Sequence, residues 1–153
     1  MKRYQFKLQK LLDIRETREK EVKNELAALL NIQNAERMKQ EEYRRKIAVE
    51  REKFTFKLKS GKFTYSESAM FERYVDFANK VIDAAQDRID SMEGEISRVR
   101  LKLVEASREK KVVERLKERQ WEEYQYEVNR EIAKENDDAN QKLYVRKMLQ
   151  SMQ

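Results

Sequence analysis

The chain has no cysteine, no histidine and no proline, and it has only two glycines among its 153 residues. Without cysteine or histidine it has no disulfide framework, no thiolate nucleophile and no zinc site built from those ligands. Without proline, long helices can continue unbroken. An apolar run long enough to span a bilayer is also missing. Residues 1–7 never lead into an apolar segment, so no signal peptide is visible and we expect a cytoplasmic protein.

Charged residues make up 42% of the chain, which favours long solvated helices over a compact globular core. Along the second half, apolar residues recur at alternating steps of three and four. Such steps keep one face of a helix against a partner and produce a left-handed coiled coil. The stripe comprises Phe71, Val75, Ala78, Ile82, Ala85, Ile89, Met92, Ile96, Val99, Leu103 and Ala106. The pattern predicts a coiled coil that works through what it contacts.

One break in the helical pattern is predicted, around Gly61. A glycine just past a helix can adopt the left-handed conformation that closes the last turn. Downstream, Thr64 and Glu67 have the spacing of an N-terminal capping box. We therefore predict an all-α fold, a long antiparallel two-helix coiled-coil hairpin. We predict a single domain over 1–153. Its first helix spans about 3–58, its turn about 59–66 and its second helix about 67–150.

A bend at Gly61 pairs residues whose numbers sum to about 124, as expected for two antiparallel helices. Residue 1 then lies beside residues 121–123, and the C-terminal end of the second helix overhangs without a partner in the chain. Gly94 is expected to face outward. The stripe is expected to shift after Ala106, where the next seam position is Lys110. The later apolar residues are Leu116, Trp121, Val128 and Ile132.

The formal net charge is +6, and the second helix is basic over 98–119 and then acidic over 122–138. A modest positive charge permits attraction to acidic surfaces without requiring nucleic acid. Basic helices that enter the major groove of DNA are nearly uninterrupted. This basic band is interrupted by Glu105, Glu109, Glu114 and Glu118. We therefore expect a solvated or protein-facing surface and no nucleic acid as the partner.

Catalysis is not expected from this sequence. There is no glycine-rich phosphate loop, and no histidine or cysteine for acid–base or nucleophilic chemistry. The acidic cluster at 135–138 lacks the loop geometry of a calcium site, so we expect no metal, no cofactor and no catalytic residue. Aromatic residues exceed what a thin two-helix seam can hold, and we expect some of them, with Trp121 foremost, to contact partners.

Three stretches of the sequence carry a resemblance to a known family. They are Phe6-x-Leu8-Gln9-x-Leu11-Leu12-Asp13-Ile14-Arg15-Glu16, the run from Phe71 to Phe77, and the run from Arg108 to Arg119 ending at Tyr124, followed by Glu135-x-Asp137-Asp138. In this order and spacing they resemble the flagellar FliJ family, small coiled-coil proteins of the bacterial flagellar type III export apparatus. The resemblance covers nearly the whole chain.

The resemblance implies a non-catalytic stalk and adaptor that serves motility and chemotaxis. Its joined termini would insert into the hexameric flagellar export ATPase and promote assembly of the ring. It would also contact the cytoplasmic part of the large export-gate membrane protein and escort export chaperones. These contacts would recruit it to the cytoplasmic face of the inner membrane at the flagellar base, without direct membrane insertion.

Transferred onto this sequence, the resemblance implies three sets of contact residues. The ATPase-ring contacts are Arg108, Lys110, Lys111, Arg115, Trp121 and Tyr124. The export-gate contacts are Tyr43, Tyr74, Ala78 and Val81. The chaperone contacts are Arg15, Arg18, Glu19 and Val22.

Three other functions remain open from the residues. A stalk protein of a virulence type III secretion system would show a similar pattern. A generic scaffold that self-associates through its exposed stripe would affect no ATPase. A basic nucleic-acid-binding coiled coil would lose affinity steeply as salt rises.

Overall fold

The computed structural model describes residues 2–153, and over that range it contains two α-helices and no strand. Helix α1 spans Gln9–Ser60 and helix α2 spans Tyr65–Ser151, which confirms the all-α prediction. Helix α1 begins at Gln9 and not near residue 3. Residues 2–6 have no regular secondary structure, and Phe6 is buried at 8% exposure. An extended segment places this ring in the core, so the helix starts only after it.

The turn between the helices has the predicted chemistry. Gly61 has a φ of 72°, the left-handed conformation that glycine adopts without steric cost, and its N–H donates to the Leu58 carbonyl at 3.4 Å. On the other side, the Thr64 hydroxyl accepts a 3.3 Å hydrogen bond from the Glu67 N–H. The glycine conformation is confirmed, and the capping box is half formed, because the Glu67 carboxylate pairs with Lys57 at 3.5 Å.

The residues group into two compact units, and each is described by itself. The first unit is 19–105, which contains the turn. Its two helical segments pack antiparallel, and the residue numbers of cross-helix pairs sum to values close to the predicted 124. Examples are Glu25–Lys102, Gln33–Glu93, Glu36–Arg88, Gln40–Gln86 and Lys57–Glu67.

The seam of the first unit alternates apolar layers with buried polar ones. The most buried apolar residues on α2 are Ala78, Ala85, Ile89, Ile96 and Val99. Opposite them, Gln33 and Gln40 are only 2% and 4% exposed. The Gln40 amide donates to the Ile82 carbonyl at 3.1 Å and to the Gln86 side chain at 3.0 Å. Buried polar groups need such partners, so these glutamines are built into the seam.

The second unit comprises 2–18 and 106–153. Its core is Phe6, Leu12 and Val113, with Tyr4 and Leu11 packed against it. Here too the helices are antiparallel, since Gln9 hydrogen bonds to Lys117 and Arg15 to Glu109.

The predicted shift of the stripe after Ala106 is wrong. Ala106 and Val113 are buried, and Lys110 and Lys117 are half-buried at the intervening seam positions. Long lysine stems can line an apolar seam while the ammonium reaches a polar partner. The Lys117 ammonium donates to the Gln9 side chain at 2.6 Å. The heptad pattern therefore continues, although its residues are no longer all apolar.

The C-terminal end of α2 is uncovered, as predicted. Val128 is the last half-buried residue, and all side chains over 129–153 are exposed. Gly94, in the first unit, faces open space: a Cβ placed there would meet nothing within 4 Å. Over the range that the structure describes, neither helix is long and apolar enough to cross a membrane.

Candidate functional site

Three aromatic rings meet in the second unit, where the N-terminal segment lies on α2. The ring of Tyr4 lies 4.9 Å from Trp121 and 5.3 Å from Tyr124, and Trp121 lies 5.7 Å from Tyr124, all between centroids. We call these three residues the terminal aromatic cluster. Aromatic pairs in such arrangements contribute about 0.5–1.5 kcal/mol beyond the apolar area that they bury.

Hydrogen bonds to the backbone fix this cluster at both ends. The Tyr4 hydroxyl donates to the Lys117 carbonyl at 3.4 Å, and the Tyr124 hydroxyl donates to the Lys2 carbonyl at 3.2 Å. Trp121 nevertheless remains 43% exposed. The cluster therefore holds residues 2–6 against α2 and still presents an aromatic edge to solvent.

The residues predicted to contact the ATPase ring all lie in this unit. Arg108, Lys111 and Arg115 are exposed, and Tyr124 is half-buried. Lys110 differs, because its side chain is only 22% exposed and its ammonium lies 3.8 Å from the Glu114 carboxylate. The exposed cations are thus free to meet a partner, whereas Lys110 belongs partly to the seam.

A second surface in this unit, on the last turns of α2, was not predicted. Residues 139–153 contain three basic side chains and no acidic one. Spacings of three and four place its apolar residues on one side of the helix. We call them the C-terminal apolar face: Tyr144 at 66% exposure, Val145 at 54%, Met148 at 44%, Leu149 at 61% and Met152 at 78%. Their spacing alone would have identified this face.

The residues predicted to contact the export gate lie in the first unit and differ in exposure. Tyr43, Tyr74 and Val81 are half-buried, but Ala78 is fully buried in the seam. The Tyr43 ring packs edge-on against Phe77 at 6.3 Å, and the Lys46 ammonium lies 4.9 Å from the Tyr43 ring. A hydrogen bond to Glu42 raises the pKa of Lys46, which keeps this cation charged beside the ring.

Tyr74 also lines an open groove beside the turn. The groove has a volume of about 1420 Å³, and its lining combines apolar with charged side chains. The apolar ones include Val49, Phe54, Phe56, Met70 and Phe71. This groove is wide enough to accept apolar side chains of a partner.

The residues predicted to contact chaperones are mostly engaged within the chain. In the second unit, Arg18 is exposed, while the Arg15 guanidinium donates to the Glu109 carbonyl at 2.7 Å. In the first unit, Glu19 and Val22 are 5% and 3% exposed, and Glu19 pairs with Lys23 at 2.9 Å. Arg18 is therefore the member of this set that is presented to solvent.

An antiparallel coiled-coil hairpin whose exposed surfaces are basic and aromatic is a scaffold or adaptor, a protein that acts by the partners it holds. Among residues 2–153, no group of three acidic side chains is arranged to hold a metal.

The family model of the flagellar FliJ protein matches residues 4–149, nearly the entire chain, and the chain therefore belongs to the FliJ family. These are non-catalytic structural and adaptor proteins of flagellar export. Neither the curated proteins nor the solved structures contain a match.

Proposed function

We propose that this protein is the stalk of the flagellar export ATPase. Its second unit, with the joined termini and the free end of α2, would insert into the hexameric ring and promote assembly of the ring. The observation that carries this proposal is the uncovered helix over 129–151, which bears an apolar face beside basic side chains. Isolated helices are marginal in water, so this segment gains most from a partner that surrounds it.

Charge supports the same orientation toward the ATPase. Arg108, Lys111 and Arg115 are exposed along α2 in the second unit. Exposed cations steer a protein toward an acidic lining, and this attraction weakens as salt screens it. Trp121 adds an exposed aromatic edge of the kind that anchors interfaces, while Tyr124 and Lys110 support it from within the unit.

The first unit would contact the cytoplasmic part of the export gate. Tyr43, Tyr74 and Val81 supply the half-buried apolar surface, and the groove beside Tyr74 offers room for side chains of the gate. Ala78 is buried beneath them and would act by setting the spacing of the helices. This contact would place the protein at the cytoplasmic face of the inner membrane at the flagellar base.

Export chaperones would bind α1 at Arg18. Arg15, Glu19 and Val22 would support this contact through their bonds and packing within the chain. The carboxylates of a chaperone are suitable partners for an exposed guanidinium.

The stalk proposal is tested by the rate of ATP hydrolysis and the ring size of the cognate export ATPase, with and without this protein, at several salt concentrations. We expect stimulation and ring formation, both weaker at high salt. The triple variant Arg108→Glu, Lys111→Glu, Arg115→Glu should lose most of the stimulation. A control with the same change in net charge is available in the first unit at Lys20, Lys39 and Lys80, all exposed.

The control variant should stimulate like the wild type. Equal loss in both triple variants would mean that only net charge matters and would contradict a specific contact. No stimulation by the wild type, despite full helicity, would leave a scaffold without an ATPase partner.

A further inference from the structure

The hairpin tip, which we define as residues 53–66, carries a cluster of lysines that no contact proposed above uses, although its Phe54 and Phe56 also line the groove. It contains four lysines, no arginine and neither aspartate nor glutamate. Its lysines are Lys53, Lys57, Lys59 and Lys62. This stretch therefore concentrates positive charge, and lysine supplies all of it.

Two of these cations are partly neutralised by neighbouring carboxylates, and two are not. Lys53 lies 3.6 Å from Glu50, and Lys57 lies 3.5 Å from Glu67. Lys59 and Lys62 are exposed and form no ion pair with any residue in the described range 2–153. The outermost part of the tip therefore carries uncompensated positive charge.

Some aromatic rings of the tip pack against other rings, and others are exposed to solvent. Phe54 packs on Phe63 at 5.2 Å and stacks on Phe71 at 4.7 Å, so these three rings hold the turn together. Phe56 and Tyr65 are 74% and 89% exposed and take part in no ring pair within residues 2–153. Leu58, between them in sequence, is 49% exposed. The fold therefore leaves exposed apolar side chains among the lysines.

We propose that the hairpin tip docks on an anionic lipid surface, with Phe56, Leu58 and Tyr65 at the headgroup level and Lys59 and Lys62 facing lipid phosphates. Basic residues beside exposed aromatic and aliphatic side chains are the combination that binds anionic interfaces. Lysine attracts such a surface as a point charge, whereas specific recognition of a protein carboxylate favours the bidentate arginine fork. The absence of arginine from the tip therefore favours lipid over an acidic protein.

This inference goes beyond the proposed stalk function and does not depend on the ATPase contact. It gives the protein a direct attachment to the bilayer surface through the first unit. Stimulation of the ATPase is measured in the same preparations, so a failure of one proposal is distinguishable from a failure of the other.

The test is sedimentation of the full chain with vesicles of phosphatidylcholine alone, or of phosphatidylcholine and phosphatidylglycerol in equal parts. We expect binding to the anionic vesicles only, weakened by salt. The double variant Lys59→Ala, Lys62→Ala should reduce partitioning by about 25-fold, since each lysine near an anionic surface contributes roughly a fivefold factor. Phe56→Ser with Tyr65→Ser should have a similar effect.

Matched controls exist for both pairs. Lys20→Ala with Lys80→Ala removes two exposed lysines from the first unit, and Tyr126→Ser removes a ring that is 69% exposed. Both controls should bind vesicles like the wild type. Circular dichroism of each variant shows that the helices are retained.

A second readout uses the lack of cysteine in the chain. The emission maximum of an environment-sensitive fluorophore attached to Ser60→Cys should shift to shorter wavelength when anionic vesicles are added. The emission of the same label on Ser91→Cys should not shift. Absence of vesicle binding at low salt would overturn the proposal. Unchanged vesicle binding by both tip variants would also overturn it. A tip variant that keeps vesicle binding but loses binding to the isolated cytoplasmic part of the export gate would overturn it as well.

Discussion

The side-chain amide of Gln33 donates a 2.7 Å hydrogen bond to the carboxylate of Glu93 across the seam, and the same nitrogen lies 3.4 Å from the Ile89 carbonyl. Gln33 is only 2% exposed. A buried amide without partners costs on the order of 1–3 kcal/mol, and sliding one helix past the other would remove these partners. Gln33 and the equivalent Gln40 one heptad later therefore specify the antiparallel register at the expense of stability.

Replacing both buried glutamines by leucine should raise the melting temperature and weaken the preference for one register. Apolar burial adds about 1.5–3 kcal/mol per leucine, and nothing then penalises alternative pairings. We expect a more stable protein that forms dimers or larger species, measured by circular dichroism melting and light scattering. Gln120→Leu, at an exposed position in the second unit, should change neither. A monomeric double variant with a lower melting temperature would contradict this role.

The two glycines should respond in opposite directions to alanine. Gly94→Ala places a methyl group in open space within a helix, which should stabilise by about 1 kcal/mol, or roughly 2–4 °C. Gly61→Ala should destabilise, because its φ of 72° disfavours a Cβ. Thermal melting of the two variants decides this, and an unchanged or raised melting temperature in Gly61→Ala would show that the turn conformation is not glycine-dependent.

Tyr4→Ala should release the N-terminal segment from α2 and expose Trp121. Because Trp121 is the single tryptophan of the chain, the fluorescence emission of the protein should shift to longer wavelength. The free energy of unfolding should fall by about 1–3 kcal/mol, because two ring contacts and the burial of the ring are lost. Tyr126→Ala should leave both the emission and the melting curve unchanged. An unshifted spectrum in Tyr4→Ala would show that Trp121 is already solvated.

Charges on the C-terminal apolar face should abolish ATPase stimulation without affecting the fold. Val145 and Leu149 are exposed, so Val145→Asp with Leu149→Asp leaves the melting temperature unchanged. The same two charges at Ala139 and Gln150, exposed on the opposite side of the helix, provide the control and should retain stimulation. Equal activity of the two double variants would remove this face from the ATPase contact.

Acidification should destabilise the first unit, because it protonates Glu36. A hydrogen bond from Arg88 at 3.0 Å lowers the pKa of Glu36 below its ordinary value. A carboxyl with a depressed pKa contributes stability above its unfolded pKa, and that contribution is lost as the pH falls through the folded value. In melting curves recorded from neutral pH downward, Glu36→Gln should show a smaller acid-induced decrease than the wild type. An equal decrease in melting temperature in the two proteins would mean that the Glu36–Arg88 pair contributes nothing to stability.

Periodicity and turn chemistry predicted most of this fold. The position of Gly61 fixed the bend, and the pairing that follows from it agrees with the Glu36–Arg88 contact, whose numbers sum to 124. The same arithmetic places Tyr4 opposite residue 120 and could have predicted its contact with Trp121. An apolar stripe is sufficient for such inferences because one face of each helix must be buried.

What the sequence analysis missed concerns polar residues that occupy seam positions. The later apolar residues predict a shifted stripe, because Lys110 and Lys117 interrupt the apolar pattern. Their stems line the seam instead. Gln33 and Gln40 likewise occupy seam positions that an apolar stripe does not mark. Hydrophobic periodicity cannot show whether a polar side chain finds a hydrogen-bond partner, since this depends on the facing helix.

The nearly constant pairing sum in the first unit restricts how its length can vary in evolution. A seven-residue insertion in α1 preserves the heptad pattern but displaces each pair between the insertion and the far end of the unit, unless α2 gains seven residues at the matching point. Insertions and deletions within 19–105 are therefore expected to occur as matched heptads in both helices. The uncovered end after Val128 faces no such restriction and can lengthen or shorten one residue at a time.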